Sequence, residues 1–266
     1  MSYTEQKDFE QQDAVFFSMR RNFARFDIDV DFANARVLEV GGAGGMLGGL
    51  VSGATARTIV ADSFDAQRQY EGQFPRLLKE KFERNGRALD LGKIEFHSVD
   101  AMDMPYRDGL FDLVLSNNAF QRIRDPFAAL QEVLRVLKPG GVACLSFDPL
   151  WTCDSGSQYG HYVPQPWAHL LCSADEFAFR MRVAGATDGE IADFMLGPNR
   201  IAYRDYQTEL HRVLAASGLK AFHVEHWSGL AYDDALTVDN QARAAAILNC
   251  DPGDLLVRGF LVLAVK

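Results

Sequence analysis

Apolar residues recur along this chain with two periods, the three-to-four-residue spacing of a helix face and the compact run of a buried strand. Phe16, Phe17, Phe23 and Phe26 give residues 13–26 a helical, strongly aromatic character. ARVLEV (35–40) predicts a first strand, and the β-branched run ARTIVAD (56–62) a second. Between Asp65 and Arg84, Tyr70, Phe74, Leu77, Leu78 and Phe82 share one helical face, with Pro75 to start or kink the helix and Asn85-Gly86 to end it. KIEFHSV (93–99) and LFDLVLS (110–116) predict the third and fourth strands. A helix then opens on Asp125 as N-cap and Pro126 in its first turn, carries Phe127, Leu130, Val133, Leu134 and Leu137 as its stripe, and stops at KPGG (138–141). GVACLSFD (141–148) predicts strand five. Strands that alternate with helices imply parallel pairing through right-handed crossovers.

The alternation breaks after Asp148. Residues 149–215 predict an insertion that covers the strand ends as a lid. It opens on the aromatic run PLWTCDSGSQYGHYVPQPWAHLL. SADE (173–176) and TDGE (187–190) each have the pattern of a capping box. A helix near 203–216, a strand near 219–227, a helix near 240–248 and the apolar run LLVRGFLVLAVK complete the chain. No linker divides it, so 1–266 is expected to form one domain, with 1–30 as a helical cap.

Composition narrows the function classes. With 48% hydrophobic and 24% charged residues, the chain has the make-up of a globular protein with a sizeable core. Its formal net charge of −9 disfavours nucleic acid or an anionic membrane as partner, since both are held by Lys and Arg. The four cysteines show no CxxC spacing and are expected to be reduced in a cytoplasmic protein. No run approaches the ~18 apolar residues of a membrane span. Oligomeric state is not written in the sequence.

The most informative stretch is VLEVGGAGGMLGG, Val37 to Gly49, in which glycine occupies 41, 42, 44, 45, 48 and 49. It lies at the carboxyl end of the first strand, where open α/β sheets bind ligands. No glycine triple has the i, i+2, i+5 spacing of a dinucleotide fingerprint, and no Lys lies in 41–53 to build a phosphate loop. The run begins instead with an acid, Glu39, which suits a cationic ligand better than a phosphate.

VLEVGGAGG resembles motif I of the class I S-adenosylmethionine-dependent methyltransferases, and the resemblance continues in order to residue 148. It implies a Rossmann-like, doubly wound, seven-stranded and mostly parallel sheet with strand seven antiparallel. In that family the acid and glycines embrace the amino-acid end and ribose of the cofactor, which points to Glu39, Gly41, Gly42, Ala43 and Gly45. Asp62, followed by Ser63, stands where the family places an acid that accepts the ribose hydroxyls. HSVDAMDMPY (97–106) is similar to the segment at the adenine edge, implying Asp100 and Ala101. FDLVLSNNAF (111–120) is similar to motif IV, with Ser116, Asn117 and Asn118 near the methyl group and Asn118 on the acceptor side. DPFAALQEVLRVLKPGG (125–141) is similar to the helix–turn of the small-molecule (methyltransferase type 11-like) subgroup. Ala43 replaces the usual middle glycine. Gln121 replaces a histidine that many members of the subgroup carry, so no general base transfers from there.

The resemblance implies S-adenosylmethionine as cofactor, S-adenosylhomocysteine as product and a small-molecule acceptor, natural-product or sugar-like, with O-methylation slightly favoured. Loops over the strand ends take the acceptor in this family, which points to Trp151, Tyr159, Tyr162 and Trp167. His161, and after it His169, are the candidates for a general base. Asp148, His161 and His169 match no tight ligand spacing, and no metal is expected. Two other functions stay open: binding S-adenosylmethionine without methyl transfer, as a cyclase-like or structural protein, and nicotinamide-dependent oxidoreduction.

Overall fold

The computed structural model describes residues 5–266; residues 1–4 of the expected N-terminal cap lie outside them. The cap is α1 (Glu5–Arg25), which begins earlier than its aromatic stretch suggests because acidic residues occupy its first turn. The strand β1 (Arg36–Val40) leads through the glycine run into α2 (Met46–Ser52), and β2 (Arg57–Asp62) follows. The single helix expected over 65–84 is two, α3 (Ala66–Gln69) and α4 (Phe74–Arg84). Glu71 and Gly72 turn the chain through positive φ between them, and Pro75 fits the first turn of the new helix.

β3 (Ile94–Ser98) and β4 (Phe111–Asn117) follow, then α5 (Pro126–Val136), whose cap Asp125 accepts from Phe127 N and Ala128 N. KPGG does not separate this helix from a later strand. β5 (Leu137–Phe147) starts at the helix end, and the pairing with β4 shifts register between Phe111 and Leu113 to accommodate it.

After β5 come α6 (Ala168–Leu171), α7 (Ala174–Val183), α8 (Asp188–Leu196) and α9 (Tyr203–Ala216). Thr187 and Glu190 close a full capping box on α8, whereas Ser173 makes only the forward half on α7. β6 (Ala221–Ser228), α10 (Thr237–Leu248), a 3-10 turn at Pro252–Leu256 and β7 (Val257–Val265) finish the fold.

The seven strands run in the order β3-β2-β1-β4-β5-β7-β6. β1 pairs parallel with β2 and β4, β2 with β3, and β4 with β5; β7 is antiparallel to both β5 and β6. This is the Rossmann-like, mostly parallel sheet that the sequence leads one to expect. One face buries Leu38, Val114, Leu145 and Val262 against Leu130 and Val133 of α5 and Leu210 and Val213 of α9. The other buries Val37, Leu113, Cys144 and Leu263 against Met19 and Phe23 of α1 and Leu47 and Val51 of α2. Helix α1 is therefore a packing layer of the core, and of its aromatic residues Phe17 remains exposed. Strands covered on both faces explain why their sequences read as continuous apolar runs rather than alternating ones. Val163, Phe177, Met181, Ile191 and Phe194 of the insertion make a small core of their own.

Candidate functional site

The carboxyl ends of β1, β2, β4 and β5 meet along one edge of the sheet. There β1 turns at Gly41, which has φ +77°, a value costly for any residue with a side chain. A Cβ at this position would also collide with the Ala119 side chain after β4. Glu39, at 5% exposure, points beneath the loop rather than into open solvent. A Cβ on Gly42 or Gly48 would come within 2.6 or 2.5 Å of its Oε2. Gly45 is similarly packed, against Phe96 and Leu78. The missing side chains at Gly42 and Gly48 thus let α2 settle on β1 and β2 around one carboxyl group. Gly44 differs: nothing lies within 4 Å of the Cβ it lacks. It is the position in the turn where a bare backbone borders free space.

Burial pushes the Glu39 carboxyl up to about 7, with the nearby Asp62 carboxylate adding to the shift and the Gly48 amide opposing it. Its Oε2 is buried and makes no hydrogen bond. Charge of this kind is held in a protein interior only against a partner.

Asp62 ends β2 and spans the mouth of the turn. Its Oδ2 accepts from Ala43 N at 2.9 Å and its Oδ1 from Phe64 N at 2.8 Å. Ser63 beside it is exposed. The space between this carboxylate, Phe64, Phe74 and Phe96 is only about 20 Å³. Asp100 is exposed beyond β3 and accepts from Met102 N at 2.9 Å, while Ala101 packs partly into the core.

At the end of β4 the three consecutive polar residues separate. Ser116 is fully buried and its hydroxyl donates to Val40 O at 2.8 Å, tying β4 to β1. A seryl group so placed is a structural tie, contrary to its expected place at the cofactor. Asn117 is half-buried at the strand end. Asn118, exposed and at φ +55°, accepts from Asp148 N at 3.1 Å and so links β4 to the end of β5. Gln121 Nε2 donates to Asp148 O at 2.7 Å, and its Oε1 is buried without a hydrogen bond.

The insertion distributes its aromatic residues unevenly. Trp167 is wholly buried, with its indole N–H donating to Thr152 O at 3.1 Å and its ring packed with Ala244, Ala245 and Leu255. It has no face for a ligand, against expectation. Tyr159 packs partly into the small core of the insertion. The Tyr162 hydroxyl donates to Glu190 at 2.8 Å. Trp151 is half-buried, stacked under the Arg200 guanidinium at 4.7 Å and open on one side to a cavity.

Neither histidine is held at the strand ends. His161 is exposed, its Nδ1–H donating to Gln158 O at 3.0 Å and its ring beside Tyr162. His169 Nε2–H donates to Trp151 O at 2.8 Å, and its ring is enclosed by Trp151, Phe177 and Phe194. That enclosure drives its pKa down to about 4, with Arg200 adding to the effect and the Trp151 carbonyl opposing it. His169 therefore stays neutral at ordinary pH and acts as a brace for Trp151.

Two features were not visible in the sequence. Asp148, which ends β5, has its carboxyl raised by burial against the opposing pull of Arg258 and the Trp227 indole. Asp154 has a fully buried side chain that accepts from Ala231 N, Tyr232 N and Arg258 Nη1, pinning the start of the insertion to β7 and to the loop after β6. Only contact across 104 residues of chain reveals such a knot. Among the described residues no group of three or more His, Cys, Asp or Glu could hold a metal ion, and no helix is long and apolar enough to cross a membrane.

A mostly parallel sheet with one antiparallel strand, a glycine turn after β1 and acids at the ends of β1 and β2 is a Rossmann-like α/β arrangement. Residues 38–145 match the family model described as a methyltransferase domain, Methyltransf_11. Over these residues the chain is similar to that methyltransferase family, on a Rossmann-like sheet. The chain is similar to the ubiquinone/menaquinone biosynthesis C-methyltransferase UbiE of Idiomarina loihiensis, at 28% identity over 156 residues, 56% of this chain and 58% of the relative. It is also similar to the chloroplastic tocopherol O-methyltransferase of Arabidopsis thaliana, 28% identical over 115 residues, which are 38% of this chain and 32% of that one. The chain thus spans less than two thirds of the length of these curated relatives. Among solved structures, phosphoethanolamine N-methyltransferase 2 of Haemonchus contortus shares the fold with a TM-score of 0.54 at 14% identity, over 97% of this chain and 52% of that one. The YcgJ protein of Bacillus subtilis does so with a TM-score of 0.51 at 17% identity, over 88% and 93% of the two chains.

Proposed function

We propose that the chain transfers a methyl group from S-adenosylmethionine to a small, uncharged acceptor. The observation that carries this reading is the turn after β1: Gly44 borders free space beside Asp62, whose carboxylate has only backbone amides as partners. A carboxylate there can take two ribose hydroxyls in place of the Ala43 amide. The narrow space between Asp62 and Phe96 must widen as it does so. Glu39, beneath the loop, is placed to answer a positive charge above it with a negative one. When bound, the cofactor supplies a methyl group already activated by its sulfonium.

The chain's own task is alignment. Asn117 and Asn118 hold the floor where β4 ends, the Asn118–Asp148 bond fixes it relative to β5, and the insertion shuts out water. Asp100 and Ala101 border the adenine side. Relatives named for ubiquinone, menaquinone and tocopherol support a phenolic or quinol acceptor, methylated at carbon or oxygen. Proton removal does not fall to a histidine on this reading, because His161 faces solvent and His169 is a neutral brace.

The test is transfer of labelled methyl from S-adenosylmethionine to a panel of phenols and quinols. The parent chain is expected to form S-adenosylhomocysteine with at least one of them. Asp62→Ala should weaken cofactor binding by about 1–3 kcal/mol, since a partly buried pair of hydroxyl bonds is lost. His161→Ala should retain turnover within about threefold, whereas loss of a general base costs about 10²–10⁴-fold. Unchanged cofactor affinity in Asp62→Ala, or collapse of turnover in His161→Ala, would contradict the respective assignment.

A further inference from the structure

A cavity of about 1050 Å³ lies between the start of the insertion, the start of α9 and the end of α10. It is of the size that takes a small organic ligand, which the cleft of about 20 Å³ beside Asp62 is not. Its position follows from the topology. Trp151 and Thr152 in its wall come three and four residues after Asp148, which Asn118 ties to the end of β4. The opposite wall includes the turn Pro252–Leu256, which runs straight into β7 where Phe260 pairs with Phe147 of β5. The cavity therefore sits on the carboxyl edge of the sheet, the same edge as the glycine turn.

Its chemistry is uneven. On α10, Ala242, Ala245 and Ala246 fall on one helical face and leave room because each side chain stops at Cβ. Opposite them stand the rings of Trp151 and Tyr203. Trp151 is not free to turn away: His169 holds its carbonyl, Arg200 covers one ring face at 4.7 Å, and Phe194 packs at 5.5 Å. Trp167 backs Ala245 from behind, so the alanine wall is firm. Both guanidinium groups already donate to protein oxygens. Arg200 Nη2 donates to Met195 O at 2.6 Å, and Arg204 Nε to Asp254 at 2.5 Å. Asp205 and Asp251 also line the cavity, so three carboxylates oppose two guanidinium groups. An anion would meet that excess of negative charge.

We propose that this cavity is the acceptor chamber and that it takes a neutral, ring-bearing apolar molecule in preference to an anionic one. The assignment as acceptor chamber rests on the methyl-transfer reading; the ligand class rests on the walls alone. Trp151 is the aromatic anchor, and the alanines of α10 set the depth available to the ring.

The test titrates two probes of one shape into the chain saturated with S-adenosylhomocysteine: 2-naphthol and naphthalene-2-carboxylate. Binding is followed by calorimetry in the parent chain and in Ala242→Trp and Ala246→Trp. Both alanines are exposed, so a large side chain there fills the cavity without entering the core. The neutral probe is expected to bind at least about tenfold more tightly than the carboxylate, and each variant to lose about tenfold or more. Affinity for S-adenosylhomocysteine should stay within about twofold in both variants. A carboxylate that binds more tightly than 2-naphthol, or 2-naphthol binding that both variants leave unchanged, would overturn the inference while leaving the methyl-transfer reading intact. Absence of S-adenosylhomocysteine binding by the parent chain would overturn that reading, and with it the assignment of the chamber to an acceptor.

Discussion

Glu39 shows how much a single buried group can decide. The sequence marks it as an acid at a strand end beside six glycines, which suggests direct contact with a cation. The fold encloses it, and two of those glycines are bare because their Cβ atoms would meet its carboxyl group. The pull of burial, which raises it from 4.5 to about 7, has a consequence for stability. A raised carboxyl binds its proton more tightly in the folded chain than in the unfolded one. Its contribution is present in full below about 4.5 and is lost as pH rises through about 7. Glu39→Gln carries no titration there. Urea unfolding of both chains at pH 5 and pH 8 should therefore find the glutamine variant gaining on the parent by on the order of 3 kcal/mol toward the higher pH. A parent–variant difference that does not change with pH would contradict the burial argument. Trp167 teaches the complementary lesson. An aromatic residue in an aromatic loop suggests a ligand, but only the position of α10 decides that its ring is core. Trp167→Ala should cost about 3–5 kcal/mol in unfolding free energy, as loss of a buried ring does, without lowering affinity for the cofactor.

At the scale of elements, most of the first 148 residues were legible because periodicity, caps and glycines there largely agree. Asp125 and Pro126 open α5 where the cap signals put it, and each parallel strand is a short apolar run between breakers. Legibility failed where local signals compete with distant contacts. The chain between Asp65 and Arg84 has one apolar face, yet Gly72 and Pro75 divide it. The alanine wall of α10 is unremarkable as sequence and becomes a cavity only when Trp151 stands opposite. The anchor of the insertion was equally hidden. Asp154 joins it to Arg258 and to the backbone at 231 and 232, all distant in sequence. Asp154→Ala would leave the partly buried Arg258 without its carboxylate, and a loss of about 3–5 kcal/mol is expected. Thermal and urea unfolding would check it, and a loss under about 1 kcal/mol would count against the anchor.

The whole molecule combines a sheet covered on both faces with an insertion that has its own small core. The two differ in how much apolar surface they bury, so they are expected to open separately. Amide exchange should be slowest in β1, β4 and β5 and faster across α7 and α8, with the insertion slowed when the chamber is filled. Uniform protection would argue that insertion and sheet open as one unit. All of this serves one claim, that the turn after β1 is an adenosyl site with its open face at Gly44. The most direct test is calorimetric titration of S-adenosylmethionine into the parent chain and into Gly44→Leu, whose Cβ would enter open space with no protein atom within 4 Å. The parent chain should bind one equivalent, and the variant, equally stable to heat, should bind at least about tenfold more weakly. Equal affinity in the two chains, or a parent chain that binds NADH but not S-adenosylmethionine, would contradict the account.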